Sequence, residues 1–214
     1  MRLGSVIGPC DFDAIAGSCL EALGATTGDD WSVAAGELTW TCRRTLDHLV
    51  DVMVSYAAHL ASRATGRLPF PRDGAPGAPV ADLMVLVGAT AATLAEVARA
   101  APPRTRAFHP SGMADASGFV AMGACELLIH TDDIMAGLGR RFRPAEYHAD
   151  LVLARLFPWA PAEETDRWAT LRYECGRAPL GKRPRRDPNW YWHSPPIAEW
   201  AGSVTRRTAP PGWT

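Results

Sequence analysis

Apolar side chains recur at a helical period along most of the chain. The clearest stripe occupies one face of a helix with 3.6 residues per turn. It consists of Leu46, Leu49, Val50, Met53, Ala57 and Leu60. Proline and glycine residues separate such stretches and end them. The pattern predicts six helices, over residues 11–23, 41–66, 80–100, 115–138, 145–157 and 162–175.

The lengths of these helices, and the lack of alternating strand patterns, predict an all-α fold. We expect the first four helices to form a four-helix bundle within residues 1–140. Residues 141–214 would form a C-terminal extension, helical at first and irregular later. Six of the eight tryptophans lie in this extension. A flexible linker does not carry so many large apolar rings, so we expect the extension to be ordered and packed on the bundle.

Composition and charge narrow the class of protein. Hydrophobic residues make up 47% and charged residues 21%, a balance typical of soluble globular proteins. The net charge of −1 argues against a general nucleic-acid-binding protein, which needs an excess of basic charge. No apolar run approaches the roughly 20 residues of a membrane span, and the first ten residues lack a signal-peptide core. We expect a cytoplasmic protein without a membrane partner.

The charge is unevenly divided along the chain. Residues 1–134 contain 9 basic and 15 acidic side chains, a net charge of −6. Residues 135–214 contain 13 basic and 8 acidic side chains, a net charge of +5. Two interpretations are open: the two parts dock on each other, or the basic part recognises an anionic small molecule.

The five cysteines form no Cys-x-x-Cys pair, and their number is odd. This spacing argues against a disulfide framework and against a thiolate zinc site. Buried, unreactive cysteine is the commoner case for such isolated residues.

The fourth predicted helix carries three polar residues on an otherwise apolar face. Glu126 and His130 are four residues apart, so they project about one turn apart from the same side. Asp133 follows three residues later and could orient the His130 imidazole through its second nitrogen. A carboxylate and an imidazole on such a face are costly unless they are paired or bound to a metal. The simpler alternative is a Glu–His hydrogen bond or an exposed pair.

The second predicted helix offers a matching group. His48 lies at the margin of the apolar stripe, near Tyr56, which is a further candidate catalytic residue. If the two helices are neighbours, His48, Glu126 and His130 form a two-histidine, one-carboxylate set. That set suits Zn²⁺ or another divalent metal and leaves a coordination position open, as catalytic sites do.

Other polar residues of the second helix are expected to face away from this set. Helical projection places Asp47 and Asp51 on the solvent side. His59 shares the face of His48 and could enter the cleft, although a surface position is the simpler expectation. In the extension, we expect the segment 190–193 to line or cover the mouth of the metal cleft, with packing on the outside of the bundle as the alternative.

These motifs resemble a known family. The segment Glu126-Leu-Leu-Ile-His130-Thr-Asp-Asp133-Ile-Met-Ala-Gly-Leu-Gly139 is similar to the Glu-x-x-x-His-x-x-Asp-x-x-x-x-x-Gly signature of mycothiol-dependent maleylpyruvate isomerases, which belong to the DinB-like superfamily of metal-binding four-helix bundles. The segment from Leu38 through Trp40 to His48 resembles the tryptophan-led second helix of that family. The resemblance implies that His48, Glu126 and His130 are the metal ligands, and that a low-molecular-weight thiol takes part.

The expected function is therefore a metal-dependent enzyme that activates a small thiol, with mycothiol as the first candidate. The thiol would be transferred to a small electrophilic substrate or would isomerise it. One alternative is a hydrolase that uses metal-bound water. Another is a DinB-like small-molecule-binding or stress protein without catalysis. The residues do not indicate the electrophile, the native metal or the oligomeric state.

Overall fold

The computed structural model describes residues 6–70, 77–162, 164 and 166–208. The described residues are mostly helical, which confirms the all-α class. Six α-helices and one two-stranded hairpin follow one another in the order α1 (Pro9–Gly24), α2 (Cys42–Ser62), α3 (Val80–Ala100), β1 (Ala107–His109), β2 (Gly112–Ala114), α4 (Ala116–Gly137), α5 (Glu146–Leu156) and α6 (Arg167–Glu174).

Local capping explains where the helix bounds differ from the predicted ones. Helix α2 ends at Ser62, four residues before the predicted end, because Arg63 adopts a left-handed conformation with φ of 52°. Its N–H donates to the carbonyl oxygens of His59 and Leu60, which closes the last turn. Helix α6 begins at Arg167, because the Asp166 side chain caps it by accepting a hydrogen bond from the Ala169 N–H.

The hairpin between α3 and α4 has no counterpart among the predicted elements. Its strands are three residues each and pair antiparallel, with His109 opposite Gly112. Gly112 has a φ of +133°, which side-chain-bearing residues rarely adopt. A Cβ atom there would lie 2.7 Å from Cγ of Pro195. The hairpin therefore packs tightly against the C-terminal segment.

Helix α4 is the most enclosed element. Helices α1, α2 and α3 pack against it, and α5 covers a further side. Of its 22 residues, 17 are buried. Its polar side chains consequently lie inside the protein, where each needs a hydrogen-bonding or ionic partner.

Helix α3 has the length and composition to cross a membrane. It is 21 residues long, and its most apolar 18-residue window has a mean hydropathy of 1.7. One third of that window is buried, and the helix packs against α1, α2 and α4. Core helices of soluble proteins have the same length and composition, so the location of the protein stays a prediction.

Basic residues of the C-terminal part pair with acidic residues of the first 134. This pairing supports the docking interpretation of the uneven charge. The pairs that span the two parts are Arg140–Asp29, Arg155–Asp115, Arg172–Asp132, Arg177–Asp133 and Arg185–Glu37, together with Glu199–Arg106 in the reverse sense. The division of the chain into two domains near residue 140 stays a prediction.

Candidate metal centre

Helices α2 and α4 bring three potential metal ligands together. His48 projects from α2, and Glu126 and His130 project one turn apart from α4. Nε2 of His130 lies 3.1 Å and Nε2 of His48 lies 3.7 Å from the same carboxylate oxygen of Glu126. Their potential ligand atoms all lie within 4.8 Å of one another. We call these three residues the triad.

The triad is largely shielded from solvent. The exposed fraction is 15% for the His48 side chain, 13% for Glu126 and 4% for His130. The ring of Trp40 packs edge-on against His48, with ring centroids 5.0 Å apart. Shielding of this kind excludes most water and strengthens electrostatic interactions within the site.

The donor set of the triad fits a divalent metal. Two imidazole nitrogens and one carboxylate are the ligands of many catalytic zinc sites, and three protein ligands leave one position open. Nδ1 of His130 is engaged by Asp133, which leaves Nε2 toward Glu126. The burial of the Glu126 carboxylate opposes ionisation, but hydrogen bonds from His130 and His48 outweigh it and hold the pKa of Glu126 well below its usual value.

Asp133 holds the His130 ring in place. Its Oδ2 lies 3.0 Å from Nδ1 of His130. Arg177 holds the other side of the carboxylate through two N–H groups, at 2.8 Å and 3.2 Å. Burial raises the pKa of Asp133, but the hydrogen bond to His130 and the charge of Arg177 lower it by more. The pKa of Asp133 therefore lies below its usual value. The carboxylate therefore stays ionised beside Nδ1 of His130, and its role in orienting the imidazole stays a prediction.

Tyr56 contacts the triad from the same helix as His48. Its hydroxyl donates to Oε1 of Glu126 at 3.3 Å, on the carboxylate oxygen that the histidines do not share. Burial raises the pKa of Tyr56 well above its usual value, and the Glu126 charge adds to that rise. The hydroxyl stays protonated and fixes the orientation of the carboxylate.

Two predictions about α2 are wrong. His59 is buried, because the chain after α2 folds back over the helix and the Leu68 N–H donates to its Nε2 at 3.1 Å. Asp47, expected on the solvent side, is also buried, and Asp51 is half-buried at the rim of a cavity. Helical projection alone did not account for the loops and the C-terminal segment that cover this side of α2.

A cavity of about 520 Å³ opens beside the triad. His48 and Glu126 form part of its wall. Aromatic rings from α2, the hairpin and the C-terminal segment form part of the remaining wall, and two arginines add positive charge. These further lining residues include Tyr56, Phe108, His109, Tyr191, Trp192, Arg67 and Arg207. Predominantly apolar walls with a few polar groups are typical of small-molecule sites.

The predicted aromatic segment contributes only in part to this cavity. Tyr191 and Trp192 line it, whereas Trp190 lies in an adjoining recess. His193 points elsewhere, with Nε2 3.2 Å from the Pro196 carbonyl oxygen.

Sequence reasoning missed three residues of the site: His109, Arg177 and Arg207. The basic character of residues 135–214 was the only signal for the two arginines. For His109, the signal was its place in the turn-forming stretch His109-Pro110-Ser111-Gly112. None of these signals identifies the residues that these side chains contact, because the contacts join parts of the chain that are far apart in sequence.

The cysteines are all free thiols and do not belong to the triad. Sγ of Cys125 lies 3.6 Å from Sγ of Cys175, and both are buried. Cys42 bonds the carbonyl oxygens of Ala34 and Ile134. Burial raises the pKa of Cys42 to about 11 and that of Cys19 to about 12. Such thiols are poor nucleophiles near neutral pH.

Comparisons of the chain with family models, with curated proteins and with solved structures give no match. The resemblance to the DinB-like superfamily therefore stays a prediction based on the two motifs. The functional argument rests on the triad and its cavity.

Proposed function

We propose that this protein is a metal-dependent enzyme that activates a low-molecular-weight thiol, with mycothiol as the first candidate. The thiol would be transferred to a small electrophilic substrate, or would isomerise it. The observation that carries the proposal is the triad of His48, Glu126 and His130 in the wall of a cavity large enough for small molecules. Zinc is the first candidate metal, and other divalent ions have the same ligand preferences.

The metal would supply Lewis acidity, which lowers the pKa of a thiol sharing its coordination. The chain's own residues prepare the site for this chemistry. Asp133 and Arg177 fix the His130 ring so that Nε2 faces Glu126. Tyr56 holds the Glu126 carboxylate from its other oxygen. The aromatic wall limits the access of water to the bound reactants.

An external thiol is favoured over a cysteine of the chain. Cys125 adjoins Glu126 in sequence but faces Cys175, in the direction of α6. Cys42 is held against the carbonyl oxygens of two other segments. Neither sulfur forms part of the triad, so the nucleophile would have to enter through the cavity.

The finer description of the fold belongs to the same proposal. Helices α1 to α4 pack on one another, which supports a four-helix bundle of the DinB-like kind. The extension from residue 141 onward would supply Arg177, Tyr191 and Trp192 to the site. We further propose a cytoplasmic protein that binds small molecules and neither nucleic acid nor membranes, on the basis of its near-neutral charge.

Elemental analysis of the full chain, purified without chelator, tests the metal. We expect close to one divalent ion per chain. Protein substituted with Co²⁺ is then titrated with mycothiol, glutathione and cysteine. We expect a sulfur-to-cobalt charge-transfer band and a higher melting temperature with at least one thiol.

Two outcomes would change the proposal. A protein that holds no divalent metal contradicts it outright. A protein that holds metal but whose cobalt spectrum and melting curve respond to no thiol contradicts the thiol mechanism, and favours a hydrolase that uses water or a binding protein without catalysis.

A further inference from the structure

His109 lies at the end of β1, and its ring is held by the turn that follows. The backbone N–H of Ser111 donates to Nδ1 of His109 at 3.1 Å. The Ser111 hydroxyl lies 2.7 Å from the same nitrogen. A backbone N–H can only donate, so Nδ1 acts as the acceptor and carries no proton. The proton of the neutral imidazole therefore lies on Nε2.

The ring stays neutral over the physiological pH range. The pKa of His109 is lowered to about 3, mainly by burial, and the charges of Arg207, His59 and Arg67 act in the same direction against the opposing effect of Glu126. A neutral imidazole in this tautomer offers one N–H donor, and it does so without a counter-charge.

The free side of the ring belongs to the cavity. Within the described part of the chain, Nε2 of His109 makes no hydrogen bond, and the residue lines the same cavity as His48 and Glu126. Tyr56 packs against the ring edge-on, with centroids 5.7 Å apart, and its hydroxyl donates to Glu126. A single aromatic ring therefore separates this donor from a triad carboxylate.

Aromatic packing fixes the plane of the imidazole. Tyr191 and Trp192 lie with their ring centroids 5.9 Å and 5.8 Å from that of His109. Together with the Ser111 contacts, they leave the ring little freedom to rotate. A donor held in place before a ligand arrives costs little reorganisation on binding, which is the property of effective charge-stabilising groups.

We propose that Nε2–H of His109 donates a hydrogen bond to a carbonyl or carboxylate oxygen of the substrate, and that Ser111 positions the ring for this contact. The inference deepens the proposed function and rests on it, since the ligand would lie in the cavity that both His109 and the triad line. It assigns the electrophile to the class of small compounds with an acceptor oxygen. The hydrogen bond strengthens as negative charge develops on that oxygen.

The first test concerns the proton alone and needs no ligand. Histidine side-chain ¹⁵N–¹H spectra of the full chain report which ring nitrogen carries hydrogen. We expect His109 to remain in the Nε2–H form without titrating between pH 5 and pH 9. A proton on Nδ1, or a titration within this range, overturns the proposal.

The second test uses pyruvate, which has both kinds of oxygen, as the probe of zinc-loaded protein. His109→Phe keeps a ring but removes the donor, whereas His109→Gln keeps an N–H donor in the place of Nε2. We expect the dissociation constant of pyruvate to rise about tenfold in His109→Phe and to stay within about threefold in His109→Gln. Ser111→Ala keeps the backbone donor and should show a smaller rise.

The controls separate this inference from the proposed function. Zinc content and circular dichroism should match the unsubstituted protein in all three variants, since none removes a triad residue. Equal pyruvate binding by His109→Phe and the unsubstituted protein, or no binding by the latter, overturns the inference while the metal result stands. If the chain holds no zinc, the proposed function fails, and the same titration without metal still tests the His109 donor.

Discussion

Two buried polar clusters of this protein contrast in how their groups are satisfied. In the triad, the nitrogens of His48 and His130 and the carboxylate of Glu126 converge on one point. In the second cluster, the Arg155 guanidinium lies among acceptors at the junction of α4, α5 and the C-terminal segment. Those acceptors are Asp115, Ser117 and the carbonyl oxygens of His193 and Ser194.

The contrast separates a binding site from a structural one. Each N–H-bearing nitrogen of Arg155 already meets an acceptor, and the side chain is only 4% exposed. The lack of a side chain at Gly118 leaves room for the Arg155 guanidinium, because a Cβ atom there would lie 2.6 Å from it. The triad instead places three potential metal ligands within 4.8 Å of one another, an arrangement that a divalent cation would complete. We therefore expect the first cluster to govern metal binding and the second to govern stability.

Loss of a triad ligand should have the largest effect. We expect His48→Ala, Glu126→Ala and His130→Ala each to reduce zinc from about one ion per chain to background, because two remaining ligands cannot hold it. Zinc should also no longer raise their melting temperatures. Mass spectrometry of native protein and thermal scans measure both. His148→Ala on α5 is the control and should retain zinc; full occupancy in all three triad variants would refute the assignment.

Removal of the guanidinium should destabilise the fold without removing the metal. Arg155→Ala leaves buried acceptors without a donor, and we expect the free energy of unfolding to fall by about 3 kcal/mol. Arg140→Ala breaks the more exposed ion pair with Asp29 and should cost far less stability, because solvent screens that pair. Urea unfolding measures both values. Equal losses in the two variants would mean that the Arg155 cluster has no special structural role.

Loosening the His130 ring should weaken metal binding by an intermediate amount. Asp133→Asn weakens the contacts to His130 and Arg177, and we expect zinc affinity to fall 10- to 100-fold, about 1.4–2.7 kcal/mol. Competition with a chelating dye measures the affinity. Asp132→Asn is a matched control on the same helix, since Asp132 pairs with Arg172 and not with a triad residue. A similar loss in both variants would contradict the positioning role of Asp133.

The smallest effect concerns the pH dependence of the Arg155 cluster. Burial raises the pKa of Asp115, but the charge of Arg155 and hydrogen bonds outweigh it, so the folded-state pKa is lowered. The resulting stability is present above the unfolded pKa of about 3.9 and is lost as the pH falls through the folded value. Urea unfolding at pH 7, 5, 4 and 3 measures the free energy of unfolding of the unsubstituted protein and of Asp115→Asn. We expect the difference in favour of the unsubstituted protein to shrink only below about pH 4. An advantage that instead grows on acidification would contradict this sign.

The helices and the spacing within them could be predicted because they depend on local geometry. The apolar period and the proline and glycine boundaries located all six helices, and α3 has the predicted bounds of 80–100. Glu126 and His130 share a face because four residues make about one helical turn. These relations hold for any helix, whatever packs against it.

Tertiary structure decided which groups meet across the chain. The hairpin was missed because its three-residue strands are too short to show a pattern. The predicted exposure of Asp47 and His59 failed because both are buried, His59 under the chain that follows α2. Arg155, Arg177 and His109 gained their roles from partners on other elements. The sequence alone determined the local periodicity and the types of ligand, whereas burial and pairing across long separations depend on how the elements pack, and a one-dimensional pattern does not contain that packing.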